Sequence, residues 1–109
     1  MINAVLKTSA AGFAVGFEVK GHSGSAPRGR DIVCAAVSSI TQTALIGLDE
    51  VAGIKGTYVI KDADIECNLP KDLTDEEQRT AHTIIMTMWL GLESIAEQYQ
   101  EFVRLKEIR

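Results

Sequence analysis

The hydrophobic period of the chain changes abruptly near residue 31, and this change limits the possible folds more than any other feature. Before it, apolar residues alternate with others, as in a strand that has one buried face. The two predicted faces are Phe13, Val15, Phe17 and Val19 against Ala14, Gly16 and Glu18. After it, apolar residues fall three or four apart in the stripe of an amphipathic helix: Val33, Val37, Ile40, Ala44, Leu48 and Val51. A glycine-rich segment, GHSGSAPRGR, joins the strand to the helix.

Patterns in the rest of the chain extend this order. Residues 2–8 alternate loosely before a turn, which predicts a hairpin with the next strand. Two β-rich runs, Gly56–Lys61 and Ala63–Leu69, flank a polar turn at Asp62 and predict a second hairpin. Thr74 and Glu77 form a capping-box pattern for a helix to about residue 100, and the tail FVRLKEI alternates as a last short strand. The order ββαββα(β) predicts an α+β fold, an antiparallel or mixed sheet with both helices packed on one face.

Composition favours one compact domain over residues 1–109. The chain is 46% hydrophobic, enough for a core that needs no disulfide or structural metal. Its net charge of −4 disfavours a nucleic-acid-binding surface. We find no signal-peptide pattern and no apolar stretch near the roughly 20 residues of a membrane span, so we expect a cytoplasmic protein. The two cysteines lack CxxC spacing, and no nearby histidine lies at the spacing of a metal ligand, so no disulfide, zinc site or other cofactor is expected.

The start of the first predicted helix carries a possible nucleophile. Asp31 is a strong N-cap candidate, which places Cys34 in the first helical turn. Unpaired backbone N–H groups and the helix dipole stabilise a thiolate there. His22 is the one possible base close in sequence, and the segment between the two residues is loose enough to bring them together. This pairing is the nucleophile-and-base arrangement of a cysteine hydrolase.

Two other interpretations stay open from the residues alone. Cys34 and the two alanines that follow it are also the kind of small residues that fill a core. A histidine in a loop, such as His22, often has no catalytic role. The segment with Arg28 and Arg30 before a helix is alternatively an anion site. It lacks the ending of a P-loop, and Asp31 would repel the anion, so this interpretation is the weakest.

The motifs at this junction resemble the ribosomal-processing cysteine protease family, Prp. The matching residues are Gly21-His22 and the block Gly29–Ser38, GRDIVCAAVS, and the length and order of elements also fit. The resemblance implies a cytosolic, dimeric cysteine endopeptidase that removes an N-terminal extension from the precursor of large-subunit ribosomal protein twenty-seven. It implies that Cys34 is the nucleophile, that His22 is the general base and that the loop between them admits the peptide.

Further site residues follow from this hypothesis. The backbone N–H groups of Cys34 and Ala35 are predicted to hold the oxyanion. Asp31 either caps the helix, which we favour, or orients His22 as a third catalytic residue. Ser38, one turn beyond Cys34, either lines the site or bonds back to the helix. The predicted substrate loop comprises Gly21, Ser23, Gly24, Gly29 and Arg30, and its middle departs from the family pattern.

The remaining histidine and cysteine are assigned no catalytic role. His82 is predicted to be a partly exposed helix residue, and Cys67 a core residue of a strand. Trp89 is predicted to lie in the core or on a dimer surface. The competing hypothesis for the whole chain is a non-catalytic, ribosome-associated module that binds a peptide in its glycine-rich loop.

Overall fold

The structure is a computed structural model that describes residues 1–21, 31–55, 57–62 and 64–109. Within these residues, five strands and two α-helices follow the predicted order, and a short π-helical segment, Gly47–Val51, extends the first helix. The elements are β1 Ile2–Thr8, β2 Ala14–Gly21, α1 Ile32–Ile46, β3 Tyr58–Lys61, β4 Asp64–Asn68, α2 Asp75–Gln98 and β5 Val103–Ile108. The predicted α+β fold is confirmed.

The strands form one mixed sheet in the order β3-β4-β2-β1-β5. The pairs β1–β2, β2–β4 and β3–β4 are antiparallel, whereas β5 lies parallel to β1. Both predicted hairpins are therefore present, and the tail forms a strand at the edge. The register pairs Ile2 with both Gly21 and Val103, so the start of β1, the end of β2 and the start of β5 share one end of the sheet.

Side chains from both helices and one face of the sheet form a continuous core. On β1 every second residue from Ile2 to Leu6 is buried, and on β4 Ile65 and Cys67 are buried. The helices contribute the following buried residues: Val33, Val37, Ala44 and Leu45 from α1, and Ala81, Ile85, Met88, Trp89 and Leu92 from α2. Trp89 is a core residue, 1% exposed, and the core assignment of Cys67 is confirmed.

A bulge in β2 corrects the predicted faces of that strand. Lys7 pairs with Gly16 but Thr8 pairs with Ala14, so Val15 is an extra residue in the ladder. The bulge turns Ala14 to the same face as Phe17, and both are fully buried. Simple alternation had placed Ala14 on the opposite face, because a period of two allows no inserted residue.

The end of the first helix also differs from its predicted pattern. The amide of Ala52 donates to the carbonyl of Gly47, a π-helical bond, and the wider turn changes the angular spacing of the side chains. Val51 therefore leaves the apolar stripe and is 76% exposed, whereas Leu48 remains buried. Gly53 follows in the left-handed region, φ 70°, where the chain turns away.

The joined segment Ile32–Val51 is longer than the apolar stretch expected from the sequence. Its 20 residues have a mean hydropathy of 1.5, so by length and composition alone it is able to cross a membrane. The core helix of a soluble protein has the same properties. Here one side of this helix packs against the sheet and α2.

Candidate active site

Asp31 is the N-cap of α1. Its carboxylate Oδ1 accepts a hydrogen bond of 2.9 Å from the backbone N–H of Cys34, and its own backbone is extended. The carbonyl of Asp31 accepts the first helical bond, 3.1 Å from the Ala35 N–H. The short polar side chain therefore starts the helix where the sequence predicts it, with Cys34 in the first turn.

The same two bonds occupy the backbone N–H groups that the sequence predicts to hold the oxyanion. The amides of Cys34 and Ala35 both donate within the cap of α1. The Cys34 N–H becomes available to a substrate oxygen only when the Asp31 carboxylate moves away, whereas the Ala35 N–H belongs to the first helical bond. The oxyanion role stays a prediction, and the cap competes with it.

The two thiols occupy different environments. Cys34 is half-buried and packs at the border of the core, between buried Val33 and exposed Ala35. Cys67 is fully buried in β4. Burial raises the pKa of the Cys67 thiol to about 11, against the smaller opposing effects of a hydrogen bond with Thr57 and the charge of Lys7. Of the two, Cys34 is the thiol that a substrate is able to reach.

The packing of the helices places Cys34 at the same end of the sheet as Gly21. Gly91 of α2 lies against Ile40 of α1, and Ile84 of α2 lies against Gly47; a Cβ added to either glycine would be 3.2 Å from the isoleucine. The earlier residue of α1 thus meets the later residue of α2, so the two helices run antiparallel. Cys34 therefore lies towards the C-terminal end of α2. From there the chain turns directly into β5, beside the start of β1 and the end of β2.

Most of the predicted substrate loop lies outside the described residues. This applies to His22, Ser23, Gly24, Gly29 and Arg30, whose catalytic or binding roles stay predictions. Gly21 is described: its φ is 96°, and a Cβ there would lie 2.3 Å from the carbonyl oxygen of Met1. Only glycine fits this position, the last one before His22.

His82 lies at the opposite end of the sheet and is half-buried, as the sequence predicts. Its Nδ1 accepts a hydrogen bond of 2.9 Å from the backbone N–H of Ala14. The ring meets Phe13 edge to face, with centroids 5.5 Å apart. Ala14 pairs with Thr8, at the far end of β1 from the Ile2–Gly21 pair. His82 therefore anchors the bulged start of β2 and is remote from Cys34; no local sequence signal indicates this contact between residues 68 positions apart.

The polar residues that follow Cys34 on α1 have separate roles. Ser38 is half-buried, one turn beyond Cys34, where it is able to line a site. Thr41 is fully buried, and its hydroxyl donates to the carbonyl of Val37 at 2.8 Å. Thr41 therefore bonds back to the helix and is not available to line a site.

These features define a class of protein, an α+β protein that presents a half-buried thiol on the first turn of a capped helix. The family model of the cysteine protease Prp matches residues 1–104. The chain therefore belongs to this family and is a cysteine endopeptidase.

Individual relatives agree with this assignment. The chain is similar to the ribosomal processing cysteine protease Prp of Bacillus subtilis, with 28% identity over 107 residues that cover 96% of each chain. Its fold is similar to that of the essential ribosomal processing protease Prp from S. aureus bound covalently to a product peptide. The TM-score is 0.88 at 24% identity, and the match covers 99% of this chain and 100% of the other. The same S. aureus protein with a substrate peptide gives a TM-score of 0.83 at 22% identity, with the same coverage.

Proposed function

We propose that this protein removes the N-terminal extension from the precursor of large-subunit ribosomal protein twenty-seven, with Cys34 as nucleophile and His22 as general base. One observation carries the proposal. The accessible thiol lies on the first turn of α1 at the end of the sheet where β2 leads into His22. The other histidine and the other thiol are held by the fold at different positions.

The proposed reaction is acyl transfer. His22 takes the proton of the Cys34 thiol, and the thiolate attacks the carbonyl carbon of the scissile peptide bond. Protonated His22 then gives its proton to the leaving amine as the C–N bond breaks, which leaves a thioester on Cys34. Water, deprotonated by His22, attacks the thioester and releases the carboxylate and the thiol.

The first turn of α1 supports this chemistry in two ways. The positive end of the helix dipole lies beside Cys34 and favours negative charge that develops there during the reaction. When a substrate oxygen replaces the Asp31 carboxylate on the Cys34 N–H, that amide is able to stabilise the oxyanion. Asp31 thus acts as the cap of the resting enzyme, and its release is part of the proposed catalytic cycle.

The substrate and the setting are supported by similarity. The B. subtilis relative is named for ribosomal processing, and the S. aureus relative binds peptides as substrate and product. The proposed setting is the cytoplasm, and the reaction involves no cofactor, nucleic acid or membrane. A homodimer is the proposed assembly, supported by exposed large apolar side chains such as Val51, Val59 and Leu90.

Cleavage of the extended precursor by purified protein tests the proposal. Mass spectrometry of the product is expected to show loss of the extension with the wild-type protein and with Cys67→Ala. We expect Cys34→Ala and His22→Ala each to lower kcat by about a thousandfold or more, because each removes one of the two groups that transfer the proton and the acyl group. Full activity of Cys34→Ala would overturn the mechanism. An intact precursor with the wild-type protein would overturn the substrate assignment.

A further inference from the structure

The end of β2 carries a contact that the proposed chemistry does not use. Among the described residues, the last pair of the antiparallel ladder between β2 and β4 is Val19–Ile65, and β2 continues to Gly21. The backbone N–H of Gly21 faces the β4 side of β2. The carboxylate Oδ1 of Asp64 accepts this N–H at 3.0 Å.

Asp64 makes this contact through its side chain, although it is a residue of a strand. Aspartate is disfavoured in strands, and Asp64 is the first residue of β4, exposed to solvent and outside the core. Its carboxylate gives the Gly21 N–H a charged acceptor, and a hydrogen bond to a charged acceptor is stronger than one to a neutral acceptor. The tip of the β3–β4 hairpin thereby holds the last residue of β2.

Gly21 is also held from its other side. It pairs with Ile2, and the Met1 carbonyl leaves no space for a side chain. Gly21 has a positive φ and contacts Ile2 on one side and Asp64 on the other, so the position where β2 ends is fixed. The next residue in the sequence is His22.

We propose that Asp64 is a positioning residue for catalysis: through the Gly21 amide, it fixes the strand end that carries the general base. This inference rests on the proposed function, since it requires His22 to act on Cys34. Misplacement of a catalytic group by about 1 Å costs as much as a hundredfold in rate. Loss of one anchoring bond out of several is expected to cost less.

Three variants separate this role from others. Asp64→Ala removes the acceptor, Asp64→Asn keeps an oxygen acceptor but removes the charge, and Asp62→Asn removes a charge of the same sign from the neighbouring turn. Asp62 has a φ of 55°, which asparagine tolerates. For each variant, kcat and KM for precursor cleavage, the Tm and the rate of Cys34 alkylation are measured.

We expect Asp64→Ala to lower kcat roughly tenfold, with KM changed less than about twofold, because the base is displaced while the peptide still binds. Asp64→Asn is expected to retain at least about half of the activity, and Asp62→Asn is expected to match the wild type. An unchanged kcat for Asp64→Ala would overturn the inference. So would equal losses in Asp64→Ala and Asp64→Asn, or a loss in Asp62→Asn as large as that in Asp64→Ala, since either result indicates an effect of charge.

The assay also contains the Cys34→Ala and His22→Ala variants. If both abolish cleavage while Asp64→Ala is fully active, only the positioning role is wrong. If neither affects cleavage, the proposed function itself is wrong. A fall in Tm that accounts for the lost activity of Asp64→Ala would assign Asp64 a structural role and also overturn the inference.

Discussion

Cys34 and Cys67 show how position decides the chemistry of identical side chains. Cys34 is half-buried on the first turn of α1, at the border of the core. Cys67 is enclosed on the core face of β4, where burial raises its pKa and excludes reagents. The helix cap produces the first environment, and strand alternation produces the second.

Alkylation tests this difference directly. With iodoacetamide at pH 7.5, we expect Cys34 to react at least about a hundredfold faster than Cys67, because the buried thiol is both protonated and inaccessible. Timed digestion and mass spectrometry measure the two rates, with Cys67→Ala as the control for the Cys34 rate and urea-unfolded protein as the control for intrinsic reactivity. Similar slow rates for both thiols in the folded protein would contradict the proposed nucleophile.

At the scale of elements, both α-helices begin at caps that involve residues three positions apart. In α2 the Thr74 hydroxyl accepts from the Glu77 N–H at 3.1 Å, and the Glu77 carboxylate accepts from the Thr74 N–H at 2.9 Å. Hydrogen bonds from the backbone and the side chain of Thr74 to the Glu77 carboxylate lower the pKa of Glu77, because they favour its charged form. Each helix start is therefore determined by a local signal.

In the edge strand β3, the backbone groups of alternate residues bond to β4, and those of the residues between them face away from the sheet. The carbonyl of Thr57 accepts from the Asn68 N–H, so Thr57, Val59 and Lys61 form bonds with β4. By the same alternation, the N–H of Ile60 points away from the sheet. The side chains of all four β3 residues are exposed, so substitutions there change little core packing.

Proline substitution tests this assignment of backbone groups. We expect Ile60→Pro to change the free energy of unfolding by less than about 1 kcal/mol, since proline is tolerated where the N–H of an edge strand faces solvent. Val59→Pro is expected to cost about 2 kcal/mol or more, because it removes a ladder bond and leaves a carbonyl of β4 unpaired. Urea unfolding compares both variants with Ile60→Ala and Val59→Ala. Equal costs for the two prolines would show that the ladder has a different register.

For the whole molecule, the buried thiol links stability to pH. Below about pH 9 the Cys67 thiol is protonated in both the folded and the unfolded chain. Between pH 9 and 11 the unfolded chain releases this proton while the folded protein retains it, so the free energy of unfolding falls as pH rises. The loss attributable to Cys67 is roughly 2–3 kcal/mol over this window.

Urea unfolding of wild type and Cys67→Ala under reducing conditions measures this effect. Other groups that titrate in this window contribute equally to both proteins, so the difference in the free energy of unfolding isolates Cys67. We expect that difference to shift by roughly 2–3 kcal/mol in favour of the variant from pH 8 to pH 11. A difference independent of pH would show that Cys67 ionises in the folded protein as readily as in the unfolded chain.

The sequence is sufficient where the deciding interactions are local. Asp31 and Thr74 mark helix starts because a cap forms its bonds within three residues, and Asp62 marks a turn because the hairpin closes across it. The position of the proposed nucleophile follows in the same way, since a cysteine three residues after an N-cap must lie in the first helical turn. Helix ends were less predictable: the π-helical segment arises from a change of bonding that no single residue between Gly47 and Val51 indicates.

The tertiary structure alone decides what depends on residues far apart in the chain. It places β5 parallel to β1, buries Ala14 through a bulge and gives the amide of Ala14 to His82. It also sets Asp64 against the end of β2, 43 positions away. Such contacts follow from the register of the strands and from how both helices share one face of the sheet. The order of elements and the place of Cys34 on a first helical turn thus follow from the sequence, because they depend on hydrophobic period and capping. The surroundings of that cysteine are decided by packing between distant segments.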